Sequence, residues 1–263
     1  KAAVVAWAST GNAASSLAGA AASVGLPAVI FVPEFAPEPK VAQLLIFGAR
    51  VIRVKASYDV TWEFCQRACD RYGWYNRNAA VNPSLVEGKK TCGLEIAEQM
   101  GDTVPDWVAV SVGDGCTIAG IWKGLRQMHA LGFIPRLPRL LGVQAEGARP
   151  LVDAFREGRD LIPGPAETLA DSICVGHPRN WRKALLAVRE SGGTFIAVSD
   201  EALLEALGRG ESPRVILFLD IVRPMRFPGS WLNRAVLQII RLSPFIRDSV
   251  KNQKVWERRM GEN

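Results

Sequence analysis

The strongest constraint this chain places on its own fold is a rhythm. Short runs rich in valine and isoleucine return along the sequence, separated by stretches of helix length. Residues Val4–Ala8, Ala28–Val32, Arg50–Val54, Trp107–Ser111, Arg139–Gln144 and Thr194–Val198 read as strands. Segments near Ala13–Val24, Pro39–Phe47, Val60–Tyr72, Gly88–Met100, Thr117–Leu131, Ala148–Glu157 and Trp181–Glu190 read as helices. Continuous apolar strands with helices between them indicate parallel βαβ units covered on both sheet faces. The expected class is α/β with a parallel sheet, whose ligands sit at the carboxyl ends of strands. The rhythm stops near Gly208-Arg209-Gly210-Glu211-Ser212-Pro213. One apolar strand follows, Arg214–Ile221, and then a basic tail rich in Trp, Arg and Leu with helical patterning.

Two strand-to-helix turns carry unusual residues. The first lies in "VVAWASTGNAASSLAGAAASVGLPAVIFVP", where Ser9-Thr10-Gly11-Asn12 separates an apolar run from an Ala/Ser-rich helix. Small polar residues and backbone amides at a helix N-terminus suit an anion, because the free N–H groups and the helix dipole both favour negative charge. The alternative is that Ser9 or Asn12 only caps the helix. The second lies in "WVAVSVGDGCTIAGIWKGL", where Gly113-Asp114-Gly115-Cys116-Thr117 joins strand to helix. Glycines let backbone approach a ligand closely and aim successive N–H groups at it, which is what a phosphate needs. The alternative there is a plain tight turn. No Gly-Lys-Ser/Thr closes the second turn, so it is not a P-loop. One turn suits a carboxylate, the other a phosphate.

Composition narrows the classes. With 263 residues, 48% hydrophobic and 22% charged, the chain has the make-up of an ordinary globular protein able to bury a core. The net charge of +6 sits mostly beyond Arg209, and the part before it is nearly balanced. Such an asymmetry can mark a membrane or nucleic-acid arm, or two ends of different origin. Five scattered cysteines (65, 69, 92, 116 and 174) and two histidines (129 and 177) offer no metal-ligand spacing, so free thiols in a reducing compartment and no metal are expected. With no signal-peptide pattern and no apolar run of membrane-spanning length, the cytoplasm is the expected location.

Several segments together resemble one family. Ser9–Asn12 followed by an Ala-rich helix matches the S-x-G-N motif of fold-type II pyridoxal-phosphate (PLP) enzymes. "NPSLVEGKKTCGLEIAEQM", "SVGDGCTIAGIWKG", "LLGVQAEGA" and "ADSICVGHPRNWRKALLAVRESGG" are similar, in that order, to segments of threonine synthases. The resemblance covers residues 1–206 and implies a tryptophan synthase β-like core. It also implies roles. Asn12 would bond the cofactor's 3′-oxygen. Ser9, Thr10 and Gly11 would hold the substrate carboxylate, and Gly113, Asp114, Gly115, Cys116 and Thr117 would cradle the cofactor phosphate. The implied chemistry is β,γ-replacement on a phosphorylated homoserine, with threonine dehydratase or another fold-type II lyase as the close alternative. A homodimer is implied for the complete protein, acting on a small amino acid, with no nucleic-acid or membrane partner.

The chain also departs from that pattern. The family carries its PLP on a lysine in a Gly-Ser-Phe-Lys-Asp-Arg-like motif ahead of S-x-G-N, and no such motif occurs here. Lys1 stands where an ordinary surface residue is expected, and Lys89, Lys90 and Lys123 read as solvated helix residues. Asp114 and Glu146, near strand ends, could line the site or face solvent. The core is therefore expected to be truncated at its N-terminus, with no catalytic residue and an inactive or very weak chain. Residues 207–213 read as a junction. Residues 214–263 resemble the C-terminal end of the aspartyl/asparaginyl β-hydroxylase family, in which Arg214 matches the arginine that pairs with a 2-oxoglutarate carboxylate. Leu204 stands where that family has an iron-binding histidine, so an exposed arginine is the expected role of Arg214. Three further readings remain: a non-catalytic binder of PLP or another phosphate ligand, a 2-oxoglutarate-dependent hydroxylase fragment, and a tail that contacts membrane or nucleic acid.

Overall fold

A computed structural model describes residues 4–9, 11–34 and 36–208 of the chain. Lys1, Thr10, most of the 207–213 junction and all of the 214–263 tail, with Arg214 and the strand expected there, lie outside the described residues. Strand β1 (Val5–Ala8) leads into helix α1 (Asn12–Ser23), β2 (Ala28–Pro33) into α2 (Glu38–Ile46), and β3 (Arg50–Val54) into α3 (Tyr58–Tyr72). A two-residue strand, β4 (Tyr75–Asn76), precedes α4 (Ser84–Met100). Then come β5 (Trp107–Ser111), α5 (Cys116–Ala130), β6 (Arg139–Ala145), α6 (Pro150–Glu157), α7 (Trp181–Glu190), β7 (Thr194–Val198) and α8 (Asp200–Gly208).

Every described strand pairing in named sheets is parallel, and the strands form two sheets, ordered β3-β2-β1-β4 and β5-β6-β7. Period-two geometry sends alternate side chains to opposite faces. In the first sheet Val5, Trp7, Ala28, Ile30 and Val32 face α1 and α2, where they meet Ala14, Leu17, Val41 and Leu44. Their neighbours Ala6, Ala8, Val29 and Phe31 face α3 and meet Cys65 and Cys69. The same alternation in the second sheet buries Val108, Val110, Leu140 and Phe195 against helices including α5, α6 and α7. Leu141, Val143 and Ile196 lie on its other face, against which Ala202 and Leu203 of α8 pack. Polar side chains are sealed inside as well, Gln144 among them. Gln144 donates to Val112 O at 3.2 Å and accepts from the Leu151 and Val152 amides at 2.9 and 3.1 Å, which satisfies the start of α6.

Helix α4 belongs to both halves. Leu85 packs in the core of the first sheet, whereas Ile96 and Ala97 pack in that of the second. Its approach to α5 is closer than ordinary side chains would permit. A Cβ on Gly93 would fall on the Ile121 carbonyl, one on Gly120 would stand 2.7 Å from Lys89 Cβ, and one on Gly124 would stand 2.5 Å from Lys90 O. Glycines at the seam thus let the two backbones touch.

Gly93→Ala should therefore force the two helices apart and lower stability by about 1–3 kcal/mol, as overpacking does. Gly88→Ala, on the same helix with open space around it, should be neutral or stabilising by up to about 1 kcal/mol. Urea denaturation of both variants checks this, and equal effects would rule out a tight seam.

Candidate functional site

The two turns marked in the sequence face each other across one cleft. Ser9, Gly11 and Asn12 line one part of it and Gly113 to Thr117 another, with Trp7, Tyr58 and Lys89 also at its surface. Both turns stand at carboxyl ends of parallel strands, β1 and β5, where an α/β sheet leaves room for a ligand.

Each turn opens a helix that has no side-chain cap. Gly11 is the N-cap residue of α1 and Gly115 that of α5; neither helix has a capping side chain or an acid in its first turn. Capping by Ser9 or Asn12 is therefore not what these residues do. Ser9 Oγ instead accepts from the Gly11 amide at 3.3 Å, within the turn itself. Two helix N-termini, uncapped by any described side chain, thus bring backbone amides and positive dipole ends to the same cleft. Gly115 lies in the left-handed region (φ +84°), and a Cβ there would come within 2.8 Å of Ala184 Cβ. A Cβ on Gly113 would stand 3.1 Å from Val175 Cγ2. A side chain is thus excluded at Gly115 and crowded against Val175 at Gly113.

Buried polar groups hold both turns in place. Asn78, completely buried, accepts from the Ala8 amide at 2.7 Å and donates to Trp62 O at 3.2 Å, pinning the end of β1. Asn180 donates its amide to Asp114 O at 2.9 Å and its side-chain Nδ2 to Gly115 O at 3.2 Å. The Asp114 carboxylate accepts from Tyr58 OH at 2.8 Å and from the Arg179 amide at 3.2 Å. Arg179 pairs with Asp59 and lies over the Trp62 ring, 4.6 Å from its centroid. Asp59 also accepts from the Gly176 amide at 3.0 Å. Through these contacts the start of α3 grips the 113–117 loop from behind.

Burial dominates the acid–base character of the site. It raises the Asp114 carboxyl above its ordinary range, against the opposing hydrogen bond from Tyr58 and the charge of Arg179. It also raises the Tyr58 phenol, with Asp114 adding to the shift, so the phenol keeps its proton and donates. Cys116 begins α5, a position that usually acidifies a thiol. Burial wins there too, and its thiol is pushed up to about 12. Cys116 is therefore no nucleophile at neutral pH, and its contribution to the cleft is its backbone.

The lysines separate. Lys90 and Lys123 both pair with Glu87 on the outer side of α4 and α5. Lys89, expected to be solvated, is half-buried in the cleft and donates to Thr117 Oγ1 at 3.0 Å. Of the two acids near strand ends, Asp114 lines the cleft, whereas Glu146 is exposed and outside it. Leu204 is 53% exposed on α8. Among the described residues no group of three or more His, Cys, Asp or Glu could hold a metal ion, and no helix is long and apolar enough to cross a membrane. All five cysteines are unpaired thiols.

Comparison with known proteins shows the family and the fold. A family profile described as pyridoxal-phosphate dependent enzyme matches residues 1–211. The threonine synthase of Methanocaldococcus jannaschii is 41% identical over 206 residues, which is 77% of this chain and 51% of that protein. The chain thus spans about half the length of the curated relatives it matches. Maize serine racemase superposes with a TM-score of 0.67 at 23% identity, over 92% of this chain and 67% of that one. Threonine deaminase isoform 2 from Solanum lycopersicum gives 0.66 at 22% identity, over 79% of this chain and 57% of that one. These two structures share the fold.

Because Asp114 holds its proton more tightly in the folded chain than in the unfolded one, its contribution to stability is fully present below the ordinary carboxylate range. That contribution is lost as the pH rises through the folded value. Asp114→Asn should therefore lessen the fall in stability above about pH 4. Denaturation midpoints measured between about pH 4 and 7 test this. A parent–variant difference that stays constant over that range would contradict it.

Proposed function

We propose that this chain, which belongs to the pyridoxal-phosphate dependent enzyme family, carries the phosphate and carboxylate sites of a threonine synthase-like active centre. The observation that carries this reading is the pair of uncapped helix N-termini at one cleft. The residues present fit the cofactor. Gly113 and Gly115 let the loop pack closely on Val175 and Ala184 behind it, and the first turn of α5 supplies amides and the Thr117 hydroxyl for a phosphate.

In this reading the amides of Gly113 to Thr117 bind the phosphate. Asp114 takes part through its backbone, since its carboxylate is engaged by Tyr58 and the Arg179 amide. Asn12 orients the ring through its 3′-oxygen, and Ser9, Thr10 and Gly11 hold the substrate carboxylate at the start of α1. When bound, the cofactor supplies an electron sink for charge developing at the substrate's α-carbon. The chain's own share is to fix the carboxylate and the phosphate at two ends of one cleft, which orients the bond to be broken. A phosphorylated homoserine is the substrate we favour, supported by the identity to threonine synthase. Elimination from a hydroxy-amino acid is the neighbouring reaction that the same two sites would serve. For the complete protein we propose a homodimer in the cytoplasm.

Turnover needs a base at the α-carbon, which the family takes from a lysine ahead of the S-x-G-N motif. No such lysine motif occurs within these 263 residues. The lysine described in the cleft, Lys89, is bonded to Thr117. Our reading is that the 263 residues alone bind the cofactor without turning over substrate. The tail from 214 we assign, on its sequence resemblance, to a different origin from the core; the family match ends at residue 211.

Titration of the chain with pyridoxal phosphate is expected to show binding that Gly113→Asp weakens by more than about tenfold, since it adds bulk and a like charge to the anion site. Borohydride treatment is expected to fix no near-stoichiometric cofactor adduct. Unchanged binding by Gly113→Asp would exclude the loop as the site, and a near-unit adduct on a lysine would overturn the inactive reading.

A further inference from the structure

Lys89 sets its ammonium at the positive end of a helix, a place that suits an anion better than a cation. Its Nζ lies 3.0 Å from Thr117 Oγ1, at the second residue of α5. The N-terminus of a helix carries a partial positive charge equivalent to about half a proton, so a cation there is repelled. Ordinary sequences put acids at that end. Here α5 has no acid in its first turn and no side-chain cap.

Nor does a neighbouring carboxylate neutralise it. Glu87, on the same helix as Lys89, pairs with Lys90 and Lys123. Asp114 turns its carboxylate to Tyr58 and the Arg179 amide. Among the described residues no carboxylate oxygen lies within ion-pair distance of Lys89. The position is not accidental to packing. Gly120 faces Lys89 Cβ so closely that a side chain there would displace it, and the α4–α5 seam holds the lysine stem over the start of α5. Cleft, dipole and ammonium therefore add up to an uncompensated positive site beside a glycine loop.

We infer that Lys89 is the charged member of the phosphate cradle, and that its ammonium pairs with a phosphate monoester dianion held by the 113–117 loop. This rests on the reading of that loop given under Proposed function. Lys89 is not a base in this role. It is fixed beside a hydroxyl at a helix start, where its use is to attract and orient an anion. Thr117 then serves both partners, accepting from Lys89 and offering its own proton to a phosphate oxygen. The cofactor's phosphate is the source we expect, because Thr117 belongs to the loop; a substrate phosphate presents the same chemistry.

The test is titration of the full 263-residue chain, followed by fluorescence of its tryptophans (Trp7 lines the cleft), with four probes: pyridoxal phosphate, pyridoxal, inorganic phosphate and O-phosphohomoserine. Lys89→Met is compared with Lys89→Arg and with Lys90→Met. Loss of a charge-assisted hydrogen bond is expected to weaken pyridoxal phosphate about ten- to a hundredfold in Lys89→Met. Pyridoxal, which has no phosphate, should bind that variant as it binds the parent, Lys89→Arg should recover most of the loss, and Lys90→Met should show none. A loss confined to O-phosphohomoserine would support the pairing and assign it to substrate. Equal phosphate binding by parent and Lys89→Met would overturn the role of Lys89 while leaving the loop reading intact. Equal losses for pyridoxal and pyridoxal phosphate would reduce Lys89 to a packing residue and overturn it likewise. If the parent binds none of the four, the loop reading falls and the Lys89 pairing with it.

Discussion

The approach of α4 to α5 sets where everything in the cleft can stand. These helices meet through glycine, with Gly93 against the Ile121 carbonyl and Gly124 against Lys90 O. Helix α4 also packs Leu85 into the core of the first sheet and Ile96 into that of the second. It therefore couples two separately buried cores, and its position relative to α5 fixes the geometry between them. Interiors packed at crystal density transmit such constraints with little give. A larger side chain at the seam would move Lys89 off the start of α5 and shift the 113–117 loop relative to the Ser9–Asn12 turn. The chemistry of the cleft thus depends on a backbone seam in which one cleft residue, Lys89, takes part through its stem against Gly120.

A second layer of order lies behind the loop. Tyr58, Asp114, Arg179 and Asp59 tie α3 of the first half to the loops of the second, while Asn78 and Asn180 pin the backbones of the two turns. Each of these buried polar groups has a partner, as burial demands. These groups are satisfied behind the loop, whereas the starts of α1 and α5 have no side-chain cap. The site we propose rests on that difference, with the amides at the starts of α1 and α5 and the ammonium of Lys89 as the groups offered to a ligand.

Much of this was legible in the sequence, and the rest was not for identifiable reasons. Five strands were visible because strands buried on both faces are almost continuously apolar, whereas the largely exposed β3 showed only through its β-branched Val51, Ile52 and Val54. Strand β4, Tyr75–Asn76, is two residues long and has no period to read. The division into two sheets depends on which strands meet, which no local pattern encodes. Helix α4 begins at Ser84, four residues before the expected Gly88. The start signal was Asn82-Pro83, with Asn82 Oδ1 accepting from the Ser84 amide at 2.9 Å, and the glycine read as a boundary lies inside the helix. Both turns were readable, since each is a local departure at a helix start. Lys89 was not. Nothing in the sequence separates it from Lys90, but successive helical residues point about 100° apart, and here one enters the cleft while the other pairs with Glu87. Tyr58 and Asn78 reach the site only through tertiary packing. Whether Ser9 and Asn12 cap α1 also needed the structure to decide.

On our proposal the start of α5, with Lys89, forms a site for a phosphate dianion. Phosphorus-31 NMR of pyridoxal phosphate bound to the chain tests it most directly, because the resonance reports the charge on the phosphate itself. Free phosphate monoesters take up their second proton near about pH 6. In a cradle of helix amides and an ammonium the dianion is favoured, so the bound resonance should keep its dianion position from about pH 8 down to about pH 5.5 while the free signal moves. A bound resonance that titrates with the free one would contradict the account, as would the absence of any bound signal.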